Sequence, residues 1–512
     1  MTVEVGEGLQ LEDVVAVADG APVSFPGSAR ERVVAARAVI ERAVDSGATI
    51  YGVTTGFGSL ADVRIDPSQA AELQHGIVRS HATAVGRPLP REEARAMLLL
   101  RAHVLALCYS GVRPALIDLM VEMLNQDVIP AVPEQGSLGA SGDLAPLANL
   151  ALPLIGHGDV LAPEGGVEPA APAMARAGLE PMRLEAKEGL ALVNGTQGML
   201  AIGILAADRV ARLTRTADVV AAMTIEAALG TDAPFDDRLQ RLRPHPGQAA
   251  SAANLRRLLT DSPIRESHRD SPHLVQDAYS LRCAPQVHGA TRDTLTHVQA
   301  VLQIEAGSVS DNPIVLPDGH GGGEVKSGGN FHGMPVAIAL DALAASTVSL
   351  ASISERRLYR LLDAKQSNDL PPFLVHGSGL NSGFMLVQYT AASLVSESKS
   401  LAHPASVDSI PSSAGQEDHV SMGMTAARHA REIVANAETV VALEALAAAQ
   451  ALDLRAPLEP GPATRAVHDA LRASIPFFEA DREFGPDIAD AVALVRSGVL
   501  IAAAGSVTGP LD

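Results

Sequence analysis

Apolar residues recur at helical spacing over much of the chain. Ile202, Leu205, Val210 and Leu213 follow one another at intervals of three to five residues, which indicates one face of a long helix. Two further stretches, 335–363 and 421–452, exceed the average helix length and are apolar on several faces. The pattern therefore predicts a mainly α-helical protein with a bundle of long, buried helices that can extend across subunits.

Shorter elements precede this core. The spacing predicts a helix over 28–46 and mostly helical structure from 67 to 124, whereas Pro, Gly and Ala in 157–180 favour a surface loop. We therefore divide the chain into a smaller mixed N-terminal region, 1–200, and a long-helix core with a C-terminal helical region, 201–512.

Composition narrows the class of protein. The 512 residues include 39 Lys and Arg against 59 Asp and Glu, a net charge of −20, which argues against nucleic acid and anionic membranes as partners. Two cysteines cannot build a disulfide framework, the acidic N-terminus lacks a signal-peptide pattern, and we find no uninterrupted apolar run of membrane-spanning length. We expect a cytoplasmic protein.

One glycine-rich stretch carries unusual chemistry. Gly142 lacks a Cβ, and Gly136 and Gly139 before it allow a strained turn. If the amide nitrogen of Gly142 attacks the carbonyl carbon of Ala140, a five-membered imidazolone forms. Loss of water from the Ser141 side chain then leaves an exocyclic methylidene. The product is an electrophile, which no unmodified side chain offers.

The residues after this turn predict a helix start. Asp143 is a typical N-cap, and Pro146 falls in the first turn, where its missing N–H costs little. The positive end of the helix dipole would then stabilise negative charge that develops at the turn. On these residues alone, a glycine-rich turn into an ordinary helix is the simpler interpretation.

Polar residues in unusual settings supply further candidates. Tyr51 lies in a Gly- and Thr-rich loop that resembles a lid, although the loop can also be a simple connector. His81 lies just before a predicted break in the helical structure. A histidine at such a position more often has a structural role than a functional one. Asn194 interrupts an apolar run and must find a partner or face a ligand.

Two later stretches add charged groups. Gln276, Tyr279 and Arg282 would share one broad face of a helix, and a guanidinium suits an amino-acid carboxylate, although a surface salt bridge also explains Arg282. Glu417 and His419 could be metal ligands, but no second cluster accompanies them. We therefore expect no metal site.

The thirteen residues from 136 to 148 resemble the signature of the histidine/phenylalanine ammonia-lyase family, and matching blocks run from about Tyr51 to Ser421. The resemblance implies that Ala140, Ser141 and Gly142 form 4-methylideneimidazole-5-one (MIO), with no external cofactor. It also implies a mainly α-helical fold of the aspartase/fumarase-like type and a homotetramer whose active sites draw on more than one subunit.

The resemblance also implies roles for individual residues. Tyr51 is the first choice as base for the β-proton, and Glu417 is its partner or rival. Arg282 would hold the substrate carboxylate. The remaining expected site residues orient the substrate, support MIO or form an aromatic wall: His81, Asn194, Gln276, Tyr279 and Phe331.

The block 416–422 resembles the histidine-specific branch of the family, because the other branches usually carry an amide in place of Glu417. A carboxylate pairs with an imidazole N–H and offers little to a phenyl ring. The implied reaction converts L-histidine to trans-urocanate and ammonia. Thr83-Ala84, Asn149 and Gly333-Met334 depart from the common pattern without removing an assigned group.

Three alternatives remain open at this point. The chain can be a tyrosine or phenylalanine ammonia-lyase, or an aminomutase, on the same scaffold, although Glu417 and His81 argue against these. It can be a catalytically silent helical assembly protein. It can also be a serine hydrolase that uses Ser141, for which the sequence offers no evident base.

Overall fold

A computed structural model of the chain is mainly α-helical, as the periodicity predicts, and it describes residues 2–60, 62–140, 142–270, 275–320 and 322–512. Ser141 thus lies outside the described residues. The helices are α1 Leu11–Ala18, α2 Gly27–Asp45, α3 Ala70–His81, α4 Arg91–Ala106, α5 Pro114–Asn125, α6 Leu144–Ala151, α7 Ala170–Arg176, α8 Glu188–Val193, α9 Gln197–Ala227, α10 Asp237–Leu242, α11 Pro246–Leu258, α12 Pro263–Ser267, α13 Tyr279–Arg282, α14 Ala284–Ala306, α15 Met334–Leu362, α16 Met385–Leu401, α17 Gly423–Leu454, α18 Pro462–Arg472, α19 Gly485–Ser497 and α20 Val499–Thr508.

The strands are few and short. They are β1 Val3–Glu4, β2 Val23–Ser24, β3 Val85–Pro88, β4 Pro133–Gln135, β5 Asp159–Leu161, β6 Val167–Pro169, β7 Ile314–Pro317 and β8 Gly323–Lys326. The strands β1 and β2 pair in parallel, and β3–β4, β5–β6 and β7–β8 pair antiparallel, so each sheet has two strands.

The chain forms two compact units. The first comprises Met1–Leu205, Gln299–Asp341 and Pro404–Arg428, and it contains the strand pairs β1–β2, β3–β4, β5–β6 and β7–β8. The second comprises Ala206–Val298, Ala342–His403 and His429–Asp512.

Within the first unit, local sequence predicts most helices correctly. The predicted helix over 28–46 is α2, and the predicted helical stretch 67–124 contains α3, α4 and α5. The expected loop over 157–180 is wrong in part, because it contains the β5–β6 hairpin and α7. Ala170, Ala173 and Met174 of α7 are buried, and this burial stabilises a short helix that composition alone does not favour.

The second unit is built on long helices rich in small residues. The predicted stretches 335–363 and 421–452 correspond to α15 and α17, whose greater parts, from residue 342 and from residue 429 onward, belong to this unit. Ala437, Ala445 and Ala448 on α17 are fully buried, and such small side chains allow close helix packing. Among the described helices, α15 alone is long and apolar enough to cross a membrane as a single span, and 61% of its most apolar window is buried inside the protein.

Candidate active site

A cavity of about 810 Å³ lies in the first unit. Its walls combine apolar side chains with the hydroxyl, imidazole, amide and carboxylate groups that the sequence singles out. Six predicted site residues line it: Tyr51, His81, Ala140, Asn194, Phe331 and Glu417. The fold therefore brings together residues that are up to 366 positions apart in the sequence, which follows from 417 − 51.

The glycines of the predicted turn adopt positive φ angles. The φ angles of Gly136, Gly139 and Gly142 are 132°, 74° and 74°, and residues with a Cβ rarely adopt such positive values. Gly139 and Gly142 form an antiparallel bridge that closes the turn. A Cβ on Gly142 would lie 2.0 Å from the carbonyl oxygen of Gly195, so only glycine fits there.

The turn is held from two sides. On one side, the Gly195 carbonyl accepts the N–H of Asp143 at 2.6 Å. On the other side, Ser421 donates its hydroxyl to the Gly139 carbonyl at 3.2 Å, and Met422 donates its N–H to the Leu138 carbonyl at 2.9 Å. These contacts fix the backbone on either side of the predicted cyclisation point.

Asp143 precedes α6 as predicted, but its side chain does not cap that helix. Its Oδ2 accepts the N–H of Met199 at 2.8 Å, in the first turn of α9, and its Oδ1 accepts the Ser137 hydroxyl at 2.9 Å. The capping part of the N-cap prediction is therefore wrong, because α9 supplies the donors. Burial raises the pKa of Asp143 to about 6, although these hydrogen bonds lower it.

Asn194 lines the cavity, and a contact with the backbone fixes its side-chain amide. Its Nδ2 donates to the Asn312 carbonyl at 2.8 Å, which fixes the amide orientation. The residue is 3% exposed, and its Oδ1 has no hydrogen-bond partner among the described residues. A buried acceptor without a partner costs about 1–3 kcal/mol, so a bound donor group at this position would recover that free energy.

The loop that follows α2 contributes two aromatic side chains. The Tyr51 hydroxyl accepts the N–H of Gly58 at 2.8 Å, and the rings of Phe57 and His81 lie 5.2 Å apart. The Ser80 hydroxyl lies 3.1 Å from Nδ1 of His81. Burial lowers the pKa of His81, and the charge of Glu417 opposes this shift, so a neutral imidazole is favoured at pH 7.

Glu417 closes a tight loop with Ser412. The Ser412 hydroxyl donates to Oε2 of Glu417 at 2.7 Å, and the Ser412 N–H donates to the Glu417 carbonyl at 2.9 Å. Between them, Ser413, Ala414 and Gly415 have φ angles of 50°, 53° and 87°. Strain of this kind at two residues with a Cβ is typical of functional sites.

Sequence reasoning missed His332 and Ser412 of this site and considered His419 only as a possible metal ligand. His332 and His419 stack with ring centroids 6.0 Å apart and an interplanar angle of 8°, and both line the cavity. Their positions beside Phe331 and Glu417 were the only signal. Ser412 also lines the cavity, and nothing in its local sequence indicates the contact with Glu417.

Gln276, Tyr279 and Arg282 belong to the second unit and do not line this cavity. The predicted shared helix face is wrong, because α13 covers only Tyr279–Arg282 and Gln276 precedes it. Tyr279 is 72% exposed, and the Arg282 guanidinium lies 4.6 Å from the centre of its ring. Gln276 and Arg282 line a separate cavity of about 490 Å³ within the second unit.

Comparison with known proteins gives a consistent result. Residues 9–473 match the model of a family described as aromatic amino acid lyase. The chain is 52% identical to histidine ammonia-lyase of Sorangium cellulosum, with 99% of each chain covered. It is 42% identical to the solved histidine ammonia-lyase of Trypanosoma cruzi, with a TM-score of 0.91 and coverage of 99% and 95%. Tyrosine aminomutase of Streptomyces globisporus matches with a TM-score of 0.94, 38% identity and full coverage of both chains.

Proposed function

The chain belongs to the aromatic amino acid lyase family, and on that premise we propose that it is a histidine ammonia-lyase. It converts L-histidine to trans-urocanate and ammonia without an oxidant. The observation that carries the proposal is the cavity of the first unit, where Tyr51, His81 and Glu417 face one space beside Ala140.

The residues around the turn fit formation of MIO. Gly142 has no room for a Cβ, and the bridge to Gly139 already bends the chain. As the Gly142 nitrogen bonds to the carbonyl carbon of Ala140, that carbonyl oxygen leaves as water with the amide hydrogens of residues 141 and 142. A second water takes the Ser141 hydroxyl and its Cα hydrogen. MIO then supplies an electrophile that makes the amine of the substrate a better leaving group.

The chain's own residues bind the substrate and move its proton. The Oδ1 of Asn194 offers a buried acceptor to a donor group of the substrate. The phenolate form of Tyr51 would take the β-proton as general base, and the Gly58 N–H that the Tyr51 oxygen accepts stabilises this anion. Glu417 remains the alternative base, because it lines the same cavity.

Glu417 and His81 favour histidine over phenylalanine and tyrosine. A carboxylate accepts an imidazole N–H in a charge-assisted hydrogen bond, whereas a phenyl ring offers it no N–H or O–H. The similarity to tyrosine aminomutase extends over the whole chain, so the overall fold does not discriminate between the two activities. We therefore base the choice of histidine on Glu417 and His81 in the cavity wall.

We further propose that the enzyme is a homotetramer in the cytoplasm. Gln276, Tyr279 and Arg282 lie on the second unit, and in a tetramer they can complete the cavity of a neighbouring subunit. Arg282 would there hold the substrate carboxylate through a forked guanidinium contact. The two cysteines, Cys108 and Cys283, are both free, which fits a reducing compartment.

Two measurements on the purified wild-type protein test the proposal. Intact mass should be lower than the sequence mass by two waters. A side-by-side assay should show release of ammonia from L-histidine and negligible release from phenylalanine or tyrosine. A full sequence mass would contradict MIO formation, and a preference for tyrosine or phenylalanine would contradict the histidine assignment while leaving the lyase chemistry intact.

A further inference from the structure

A buried arginine binds the 194–195 segment, which contacts the glycine-rich turn. Arg101 on α4 is fully buried, and its Nη1 donates to the Asn194 carbonyl at 3.1 Å and to Oε1 of Gln197 at 2.7 Å. Its Nη2 donates to the Ala191 carbonyl near the end of α8. Carbonyls at a helix C-terminus lack intrahelical partners and carry partial negative charge, so they suit a guanidinium.

Gln197 connects Arg101 to a second segment of the chain, the one that contains Ser310. Its Nε2 donates to the Ser310 hydroxyl at 2.8 Å, while its Oε1 accepts from Arg101. The side chains of Arg101 and Gln197 pack directly against the backbone of Gly195. A Cβ on Gly195 would lie 2.3 Å from Nη1 of Arg101, 2.3 Å from Oε1 of Gln197 and 2.8 Å from the Ser310 carbonyl.

Gly195 in turn touches the turn that must cyclise. It pairs with Gly142 in a parallel bridge, and its carbonyl accepts the Asp143 N–H at 2.6 Å. A displacement of residues 194–195 would therefore relax residues 142–143 away from Ala140. The rate at which the Gly142 nitrogen attacks the carbonyl carbon of Ala140 depends steeply on the distance between these two atoms.

We propose that Arg101 is a positioning residue for formation of the electrophile, acting through Gln197 and the backbone of Gly195. The inference rests on the proposed function, because it presupposes that Ala140, Ser141 and Gly142 cyclise. Arg101 does not contact the reacting atoms. It holds the 194–195 backbone in place, and that backbone contacts the turn on the side opposite to Ser421.

The test follows the loss of two waters by intact mass after cell-free synthesis of the full chain. Arg101→Met should lose the waters about tenfold to a hundredfold more slowly than wild type. Arg101→Lys should recover part of that rate, because an ammonium keeps the positive charge and N–H donors but not the forked geometry that reaches all three acceptors. Circular dichroism and the unfolding transition, measured on the same samples, report whether the fold is retained.

Arg95→Met is the matched control. Arg95 lies on the same helix, is also buried, and donates to the Val17 carbonyl at 2.8 Å and to Oδ1 of Asp127 at 2.8 Å, remote from Gly195. Its variant should process at the wild-type rate. Equal slowing in Arg95→Met and Arg101→Met would overturn the inference, because the effect would then be one of general stability.

If Arg101→Met does not fold, Gln197→Met tests the inference in its place. It removes the acceptor for Arg101 and the donor to Ser310 without removing a charge, and it should slow the loss of water. Processing at the wild-type rate in Gln197→Met and in any folded Arg101→Met would overturn the positioning role. A wild-type chain that keeps its full mass would instead overturn the proposed function.

Discussion

Ser412 donates its hydroxyl to Oε2 of Glu417 at 2.7 Å, while the backbones of the same two residues pair with each other. The double contact fixes both the main chain and the carboxylate of Glu417 at the cavity wall. Because one carboxylate oxygen is held in this way, the orientation of the other is fixed as well. The loop thus holds the carboxylate in a set direction at the cavity wall, which suits recognition of an imidazole N–H.

Glu417→Gln should lower kcat/KM for histidine about tenfold to a hundredfold, because a hydrogen bond to a charged group contributes about 1.5–3 kcal/mol. A rise in KM alone would indicate that Glu417 binds the ring, and a fall in kcat would indicate that it moves the proton. Steady-state kinetics with histidine separates the two. An unchanged kcat/KM would remove Glu417 from both roles.

Ser412→Ala should weaken selectivity for histidine over phenylalanine without abolishing activity. The carboxylate of Glu417 loses the hydrogen bond that orients its Oε2, which costs about 1–2 kcal/mol. Ser413→Ala, one residue further, is the control, because the structure gives its hydroxyl no hydrogen bond to Glu417. The ratio of kcat/KM for the two substrates should fall only in the first variant.

The sequence predicts the long helices well, because their signal is local. Apolar spacing within 335–363 is sufficient to place α15 at Met334–Leu362. The glycine-rich turn is equally local, since positive φ angles at Gly139 and Gly142 need only the absence of a Cβ. The MIO chemistry itself was inferred from a resemblance, and it stays a proposal.

Contacts between distant residues could not be predicted. The Asp143 carboxylate bonds the Met199 N–H, 56 residues later, and no local pattern distinguishes this from an ordinary N-cap. Arg101 and Gln197 are 96 residues apart, and a buried arginine runs against the usual preference of its type. Helix periodicity likewise could not show that Gln276 lies outside α13.

Ser141→Ala should prevent the loss of two waters and reduce ammonia release from histidine to background, because alanine has no hydroxyl to leave as water and form the methylidene. The unfolding transition should change little, since alanine keeps the Cβ and removes one hydroxyl. Intact mass and the histidine assay check both expectations together. Substantial turnover of histidine by this variant would contradict the proposed cofactor.

The free energy of unfolding should depend on pH through Asp143. Its pKa is raised to about 6 in the folded state from an ordinary value near 4, so the native state binds more protons than the unfolded state between these values. Stability from this group is therefore full below about pH 4 and is lost as pH rises through 6. The difference amounts to at most about 3 kcal/mol.

Asp143→Asn should flatten this part of the stability profile. An asparagine keeps an acceptor for the Met199 N–H and can donate to the Ser137 hydroxyl, so the packing is retained. Denaturant titrations at pH 4, 5, 6 and 7 would measure the slope. Equal slopes in wild type and variant would assign the titration to other groups.

The last prediction concerns the core of the second unit, where Arg357 and Glu444 form a fully buried ion pair. Glu444 accepts from Nε and Nη2 of Arg357 and from the hydroxyls of Ser354 and Thr224 at 2.5–2.8 Å. Glu444→Ala would leave the guanidinium buried without its carboxylate, at a cost of about 3–5 kcal/mol.

The exposed pair of Glu459 and Arg465 in the same unit provides the control, because Glu459→Ala should change stability by less than about 1 kcal/mol. Removing both buried charges, in Arg357→Met with Glu444→Met, should recover much of the loss, since no unpaired charge then remains. Chemical denaturation of the four proteins measures the differences. A double variant as unstable as Glu444→Ala would show that lost packing, rather than the orphaned guanidinium, causes the effect.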